Sequence, residues 1–183
     1  MKKFVIIALV VIVVIAGVLF YSQKMTNKNN QPPAKVATTT PIALQNLTYI
    51  IEGQQITLSN GLSQISIASG SAETQTTRYF GNVAAGDLTN SGRTGYAFLL
   101  TQDNGGSGTF YYIVAALLTD FGYRGTNALL LGDRIAPQST EIKNGIITVN
   151  YADRKPGEPF TTEPSVAVSR NFRIDAGSLI EIK

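Results

Sequence analysis

The chain has 183 residues, 44% of them hydrophobic and 15% charged, with a formal net charge of +3. It contains no histidine and no cysteine, which excludes charge-relay triads, thiolate nucleophiles, disulfides and the usual zinc sites. All acidic residues lie beyond residue 50, and residues 42–183 hold ten basic and twelve acidic residues. The positive charge therefore belongs to the N-terminal part, and no nucleic-acid partner is predicted.

An uninterrupted apolar run, residues 4–21, follows two lysines at the N-terminus. Its eighteen residues would span about 27 Å as a helix, close to the roughly 30 Å hydrocarbon core of a bilayer. Bulky Phe20 before Ser22 is unlike the small-residue cleavage site of a signal peptide. The sequence predicts an uncleaved single-pass signal anchor at 4–21, with residues 1–3 in the cytoplasm and the rest of the chain outside it. A cleaved signal peptide is the alternative.

Residues 22–41 are rich in Asn, Gln, Lys, Thr and Pro and hold almost no large apolar side chain. Such a segment buries too little apolar surface to fold, so it is predicted to be a flexible linker. Residues 42–183 are predicted to form a mainly β extracytoplasmic domain, an antiparallel sandwich or an open meander. Apolar residues nowhere keep the 3.6-residue period of a long helix, so at most one short helix is expected there.

Three Gly-containing pairs predict tight hairpin turns between alternating strands. Asn60-Gly61 lies between 55–59 and 64–67, Asn144-Gly145 lies between 140–143 and 146–151, and Ala176-Gly177 lies between 166–174 and 179–182. A further strand signal begins at Thr48 and is closed by Gly53.

Three near-continuous apolar runs in the middle of the chain predict central strands that are covered on both faces. They are 96–101, 109–118 and 128–131, and the Gly-rich stretch 103–108 joins the first two as a long hairpin loop. Residues 113–118 are compatible with a helix by propensity alone, but their β-branched and aromatic neighbours favour a strand.

The candidate ligand site comes from two similar turns. Two predicted strands each end in an Asp-Arg pair followed closely by Pro, namely Asp133-Arg134 and Asp153-Arg154. Guanidinium groups bind carboxylates or phosphates through two parallel hydrogen bonds. If both turns lie at one end of a sheet, these four residues form a site for an anion or another polar ligand. The alternative is that each Asp and Arg braces its own turn.

The loop after Gly86 holds a degenerate calcium candidate. Asp87 opens a stretch similar to the D-x-[DN]-x-[DN]-G loop, but Thr89, Ser91 and Gly95 stand at later ligand positions. One carboxylate with neutral oxygens binds calcium weakly, so no metal site and no cofactor is predicted beyond this weak candidate. Asp87 is expected to cap its own turn.

The adjacent aromatic residues Phe110, Tyr111 and Tyr112 offer a stacking surface for a sugar ring or a partner. Alternate residues of a strand point to opposite faces. At least one of the three is therefore expected in the core.

Several sequence blocks resemble a family of exported bacterial envelope proteins with no assigned activity. The blocks are TRYFGN at 77–82, GDL at 86–88, AFLLTQ at 97–102, GSGTFYY at 106–112, LGDRIAPQ at 131–138 and NYADRKPGEP at 150–159. The resemblance implies export and a domain that starts near residue 46, and it supplies no catalytic residues. In this family the loop after Gly86 often reads D-x-N-x-D-G, from which this chain departs.

These features predict a protein of the bacterial cell membrane that is not an enzyme and whose β domain binds an envelope protein or a glycan. The missing catalytic residue types and the predicted anchor and linker motivate this interpretation. Two alternatives stay open. One is a hydrolase that uses carboxylates, such as Asp153 with Glu158, on cell-wall glycans. The other is a structural spacer or a self-associating surface protein.

Overall fold

Twelve β-strands and one 3-10 helix make up the secondary structure of residues 42–67 and 73–182, the part of the chain that this computed structural model describes. The predicted N-terminus, anchor and linker, residues 1–41, lie outside it. Within the described part, no helix is long and apolar enough to cross a membrane. In chain order the elements are the 3-10 helix Ile42–Asn46, β1 Thr48–Ile51, β2 Gln54–Thr57, β3 Leu62–Ser66, β4 Thr74–Asp87, β5 Thr94–Asp103, β6 Phe110–Thr119, β7 Gly122–Gly125, β8 Leu129–Asp133, β9 Ala136–Lys143, β10 Ile146–Asp153, β11 Val166–Asp175 and β12 Ser178–Ile182.

The strands pair in three antiparallel sheets, which confirms the predicted mainly β class. β3, β4, β5, β6 and β7 follow one another in the large sheet, and β8 also pairs with β6. β9, β10, β11 and β12 form a four-stranded sheet in which chain neighbours pair. β1 and β2 form a separate two-stranded ribbon.

β5 and β6 are buried on both faces, because their apolar runs leave no polar side to turn outward. On one face, Ile113 of β6 shares a core with Phe172 of the four-stranded sheet. On the other face, Val114 shares a second core with Tyr49 of the ribbon. Each large side chain buried in this way contributes about 1.5–3 kcal/mol. The large sheet is therefore the middle of three layers, and the strand prediction for 113–118 is confirmed.

Tight turns with two consecutive residues at positive φ include Glu52-Gly53, Asn60-Gly61, Asn144-Gly145 and Ala176-Gly177. The last two join β9 to β10 and β11 to β12, so these predicted hairpins are confirmed. The hairpin predicted at Asn60-Gly61 is wrong. Its turn forms, with one bridge between Ser59 and Leu62, but β2 pairs with β1 and β3 pairs with β4. Pairing with β1 places Ile56 of β2 in the core of the ribbon.

The prediction that residues 128–131 are covered on both faces is wrong. β8 has β6 as its strand partner, and Leu130 is 44% exposed whereas Leu131 is buried. Side chains of the four-stranded sheet approach β8 instead. Arg170 Nη1 donates a hydrogen bond to the Leu130 carbonyl at 2.7 Å, and the Tyr151 hydroxyl donates to the Leu131 carbonyl at 3.2 Å.

The segment 126–128, which follows β7, joins the three layers. The amide of Ile50 in the ribbon donates to the Thr126 carbonyl at 3.1 Å, and the Ala128 amide donates to the Ile50 carbonyl at 2.7 Å. The side-chain amide of Asn127 donates to the Leu179 carbonyl at 2.9 Å and accepts from the Leu179 amide at 2.8 Å. The same segment also bonds to Ala115 of β6.

Gly125→Ala should strongly destabilise the domain, because the ribbon passes directly over this residue. An added Cβ would lie 2.3 Å from the Thr48 carbonyl oxygen and 2.8 Å from the Tyr49 ring, and backbone cannot rotate away. We expect a loss of about 3 kcal/mol in the free energy of unfolding in urea. Gly106→Ala is the control, because no atom lies within 4 Å of its added Cβ. Equal unfolding midpoints for the two variants would contradict the close approach.

Candidate binding site at the two Asp-Arg turns

The two Asp-Arg turns meet at one corner of the domain. Asp133 ends β8 of the large sheet, and Asp153 ends β10 of the four-stranded sheet. Arg154 links the turns, since its Nη1 donates to the carbonyl of Arg134 at 2.9 Å. A Cβ placed on Gly132 would lie 3.7 Å from Asp153 Oδ2. The structure therefore brings the four predicted residues together.

Arg134 is held by the carboxylate of its chain neighbour. Its Nε and Nη2 donate to Asp133 Oδ1 and Oδ2 at 3.1 and 2.8 Å, and the Thr109 amide donates to Asp133 Oδ1 at 2.9 Å. Arg134 has a φ of 50°, which is uncommon for a residue with a side chain. Its own amide donates to the Thr109 carbonyl at 2.8 Å. These hydrogen bonds fix the turn in its strained conformation.

The surroundings of Asp133 favour its charged form. Burial by itself raises the pKa of Asp133, but the hydrogen bonds from Arg134 and the Thr109 amide, with the charges of Arg134 and Arg154, outweigh it and hold this pKa below its ordinary value. The hydrogen bond to Asp133 raises the pKa of Arg134 in turn. Asp133 is therefore held as a carboxylate paired with Arg134.

Phe160 completes the corner, although no sequence pattern predicted its role. The Arg134 Cζ lies 4.2 Å from the centroid of its ring, and the Arg154 Cζ lies 5.9 Å from it. The residue is 56% exposed. Arg154 fixes the loop that carries Phe160, because its Nε donates to the Thr162 carbonyl. The one sequence signal for Phe160 is an aromatic residue within a Pro-rich loop. We refer to Asp133, Arg134, Asp153, Arg154 and Phe160 as the corner cluster.

Two aromatic residues, Tyr111 and Phe80, form a pair next to the corner cluster. Tyr111 lies opposite Gly132 in the ladder between β6 and β8, and its ring meets Phe80 edge-on with 5.2 Å between centroids. Phe80 is 45% exposed. Tyr112 points to the opposite face, where it is buried and its hydroxyl donates to Glu52 at 2.9 Å. The expectation that at least one of the adjacent aromatic residues belongs to the core is confirmed.

Asp87 caps its own turn, as expected. Its Oδ1 accepts from the amides of Thr89 and Ser91 at 3.1 Å each, and its Oδ2 accepts from the Gly92 amide at 2.6 Å. These hydrogen bonds, the one from Gly92 foremost, lower the pKa of Asp87 despite some desolvation. In residues 42–67 and 73–182, no group of three or more His, Cys, Asp or Glu side chains is arranged to hold a metal ion.

The carboxylates of Asp153 and Glu158 are each engaged by local backbone. Asp153 Oδ1 accepts from the Arg154 amide at 2.7 Å, and Glu158 Oε2 accepts from the Lys155 amide at 2.9 Å. The polar groups of the corner cluster are thus largely committed within the protein. What the cluster offers to a ligand is the exposed ring of Phe160 and the guanidinium groups packed against it.

Comparisons of this chain with family models, with curated proteins and with solved structures give no match. The resemblance to exported envelope proteins therefore stays a prediction. A function for the corner cluster has to be argued from its own geometry.

Asp133→Asn should make the domain less stable at neutral pH and less sensitive to acid. The folded-state pKa of Asp133 lies below its unfolded-state value of about 3.9, so its stabilisation is complete above that pH and is lost as the pH falls through the folded-state pKa. The melting temperatures of the native and variant chains should therefore converge in acid.

The matched control for this substitution is Glu163→Gln, which neutralises an exposed carboxylate and should track the native chain across the whole pH range. A gap between the native chain and Asp133→Asn that keeps the same size from neutral pH into acid would contradict the role of the Asp133 charge.

Proposed function

We propose that this protein is a membrane-anchored binding module of the cell envelope. A hydrophobic helix at residues 4–21 holds the β domain outside the cytoplasm on the linker 22–41, and the domain binds an envelope protein or a glycan at the corner cluster. The observation that carries the proposal is the exposed ring of Phe160, held against the guanidinium groups of Arg134 and Arg154.

A ring held in this way is suited to binding. Exposed aromatic and arginine side chains are the types that most often dominate the affinity of an interface. The cation–π contact with Arg134 restrains Phe160 before a ligand arrives, so little conformational freedom is lost on binding. The exposed ring of Phe80 packs against Tyr111, which pairs with Gly132 beside the corner cluster, and so adds a second exposed ring to this region.

The geometry also favours one mode of recognition. The Nε and Nη2 donors of Arg134 bind Asp133, and Arg154 donates to backbone carbonyls. A ligand therefore gains more from stacking on the Phe160 ring than from replacing these hydrogen bonds. A sugar ring or a flat apolar side chain has the required face. Binding of this kind depends only weakly on salt.

Phe160→Ala should abolish capture of the ligand while leaving the fold intact. The full chain in detergent is immobilised and exposed to an envelope extract of the source organism. Truncation of a central anchor costs about 2 kcal/mol or more, which is roughly 30-fold in affinity. The matched control is Phe121→Ala, since Phe121 is also an exposed phenylalanine but lies in the turn between β6 and β7.

A protein or glycan retained by the native chain and by Phe121→Ala, and lost from Phe160→Ala, is the expected result. Equal retention by all three baits would remove the site from the corner cluster. Failure of the native chain to retain anything specific would contradict the binding function itself. Phe160 is the residue to change because replacing Arg154 would also release the loop that it fixes.

A further inference from the structure

A recess of about 150 Å³ lies beside the hairpin that joins β6 to β7, at the other end of β6 from the corner cluster. Leu88 and Leu117, two buried residues of the main core, line it together with Arg93 and Arg124. An apolar cavity of about this volume, roughly 150 Å³, holds a benzene ring. The recess therefore has room for one aromatic side chain.

The tip of the same hairpin presents such a side chain. Phe121 is fully exposed, more so than any other large hydrophobic residue in 42–67 and 73–182. Thr119 holds the turn, because its Oγ1 accepts from the Phe121 amide at 3.2 Å and donates to the Gly122 carbonyl at 2.7 Å. The adjacent Asp120 is exposed as well. The tip thus offers an aromatic ring and a carboxylate, side by side, on a fixed turn.

The tip and the recess are complementary in chemistry. The recess combines a leucine floor with two guanidinium groups, which suit the ring and the carboxylate of a tip. Arg93 bonds to Asp120 of its own chain at 2.7 Å, but both side chains are largely exposed, and an exposed ion pair is held weakly. Arg124 makes one long hydrogen bond, 3.4 Å, to the Gly177 carbonyl. Both arginines can therefore exchange these partners for an arriving carboxylate.

Tip and recess also lie close together on one hairpin. Leu117 and Arg124 face each other in the β6–β7 ladder, two pairs before Thr119 and Gly122 close it. Since Phe121 is fully exposed, its ring does not fill the recess of its own chain. A surface that carries a projection beside a matching recess can pair with itself about a two-fold axis, because each copy then fills the recess of the other.

We propose that two copies of this chain associate tip to tip, with Phe121 of each copy inserted in the recess of the other. The Asp120 carboxylate then meets the guanidinium groups at the rim of the partner copy's recess. Each ring leaves water for an apolar floor, which drives the association. The contact is small, so the dimer is weak and depends on concentration. It does not use the corner cluster, and it is independent of the proposed binding function.

Phe121→Ala should abolish most of this association. The full chain in detergent is studied by sedimentation over a range of protein concentrations, with the detergent matched in density by the solvent. The native chain should form dimers, and the dissociation constant of Phe121→Ala should be at least about 30-fold higher, because a buried aromatic anchor is lost. Phe160→Ala, which removes an exposed phenylalanine elsewhere, is the control and should associate like the native chain.

A mixing experiment tests the recess itself. Arg124→Glu places a negative charge where the partner's Asp120 arrives, so this variant should associate poorly although its Phe121 is intact. Phe121→Ala lacks the ring but keeps the recess. An equal mixture of the two variants can form a dimer with one intact ring in one intact recess. The mixture should therefore associate more tightly than either variant alone. Melting temperatures close to that of the native chain verify that both variants are folded.

Every other result overturns the exchange of rings. A native chain that stays monomeric at all concentrations would refute the dimer. Native-like association of Phe121→Ala would place the contact on another surface, and a loss with Phe160→Ala as large as that with Phe121→Ala would show unspecific contacts between exposed rings. Weak association of both variants without recovery in the mixture would show that the rings touch each other and do not enter the recesses.

Discussion

The side-chain amide of Asn127 is the interaction on which the arrangement of layers depends. It pairs with both backbone groups of Leu179 on the outer edge of β12, as one residue of a neighbouring strand would. The backbone on either side of Asn127 bonds to Ile50 of the ribbon. An open strand edge invites pairing with other chains, and here Asn127 occupies part of that edge and joins it to the segment that follows β7. Arg170 acts similarly on β8 through the Leu130 carbonyl.

This scaffold separates two exposed phenylalanines. β6 begins beside the corner cluster, where the Thr109 amide binds Asp133 and Arg134 contacts Phe160. It ends at the turn that displays Phe121. β6 is buried on both faces, so these two ends are joined through the core of the domain. The corner cluster and the Phe121 turn therefore lie at opposite ends of one strand.

Local features of the fold could be predicted from the sequence. Asn144-Gly145 specifies its turn through its own backbone preferences, and uninterrupted apolar runs indicate strands with two covered faces. Pairing partners are set by burial, which is why Asn60-Gly61 forms a turn although its flanking strands pair elsewhere. The exposure of Leu130 likewise depends on β8 lying at a sheet edge, and no local pattern encodes that position.

The candidate site was only partly predictable for the same reason. The repeated Asp-Arg context marks Asp133 and Asp153 in the sequence, but their proximity depends on how two different sheets stack. No motif marks the roles of Phe160 and Asn127, because each acts on residues that are distant along the chain. A polar side chain that bonds to the edge of a strand, as that of Asn127 does, looks like an ordinary loop residue in the sequence.

The most direct test of the role of Asn127 compares hydrogen exchange of backbone amides in the native chain and in Asn127→Ala. The Leu179 amide loses its acceptor in the variant, and its exchange should accelerate by about 10-fold or more. Exchange of the Ile50 amide should also accelerate, because its acceptor is the carbonyl of Thr126, next to Asn127. The Ile113 amide, in the strand that is buried on both faces, should keep the slow exchange rate of global unfolding. Acceleration confined to Leu179, or unchanged exchange at both sites, would contradict the claim that Asn127 holds the layers together.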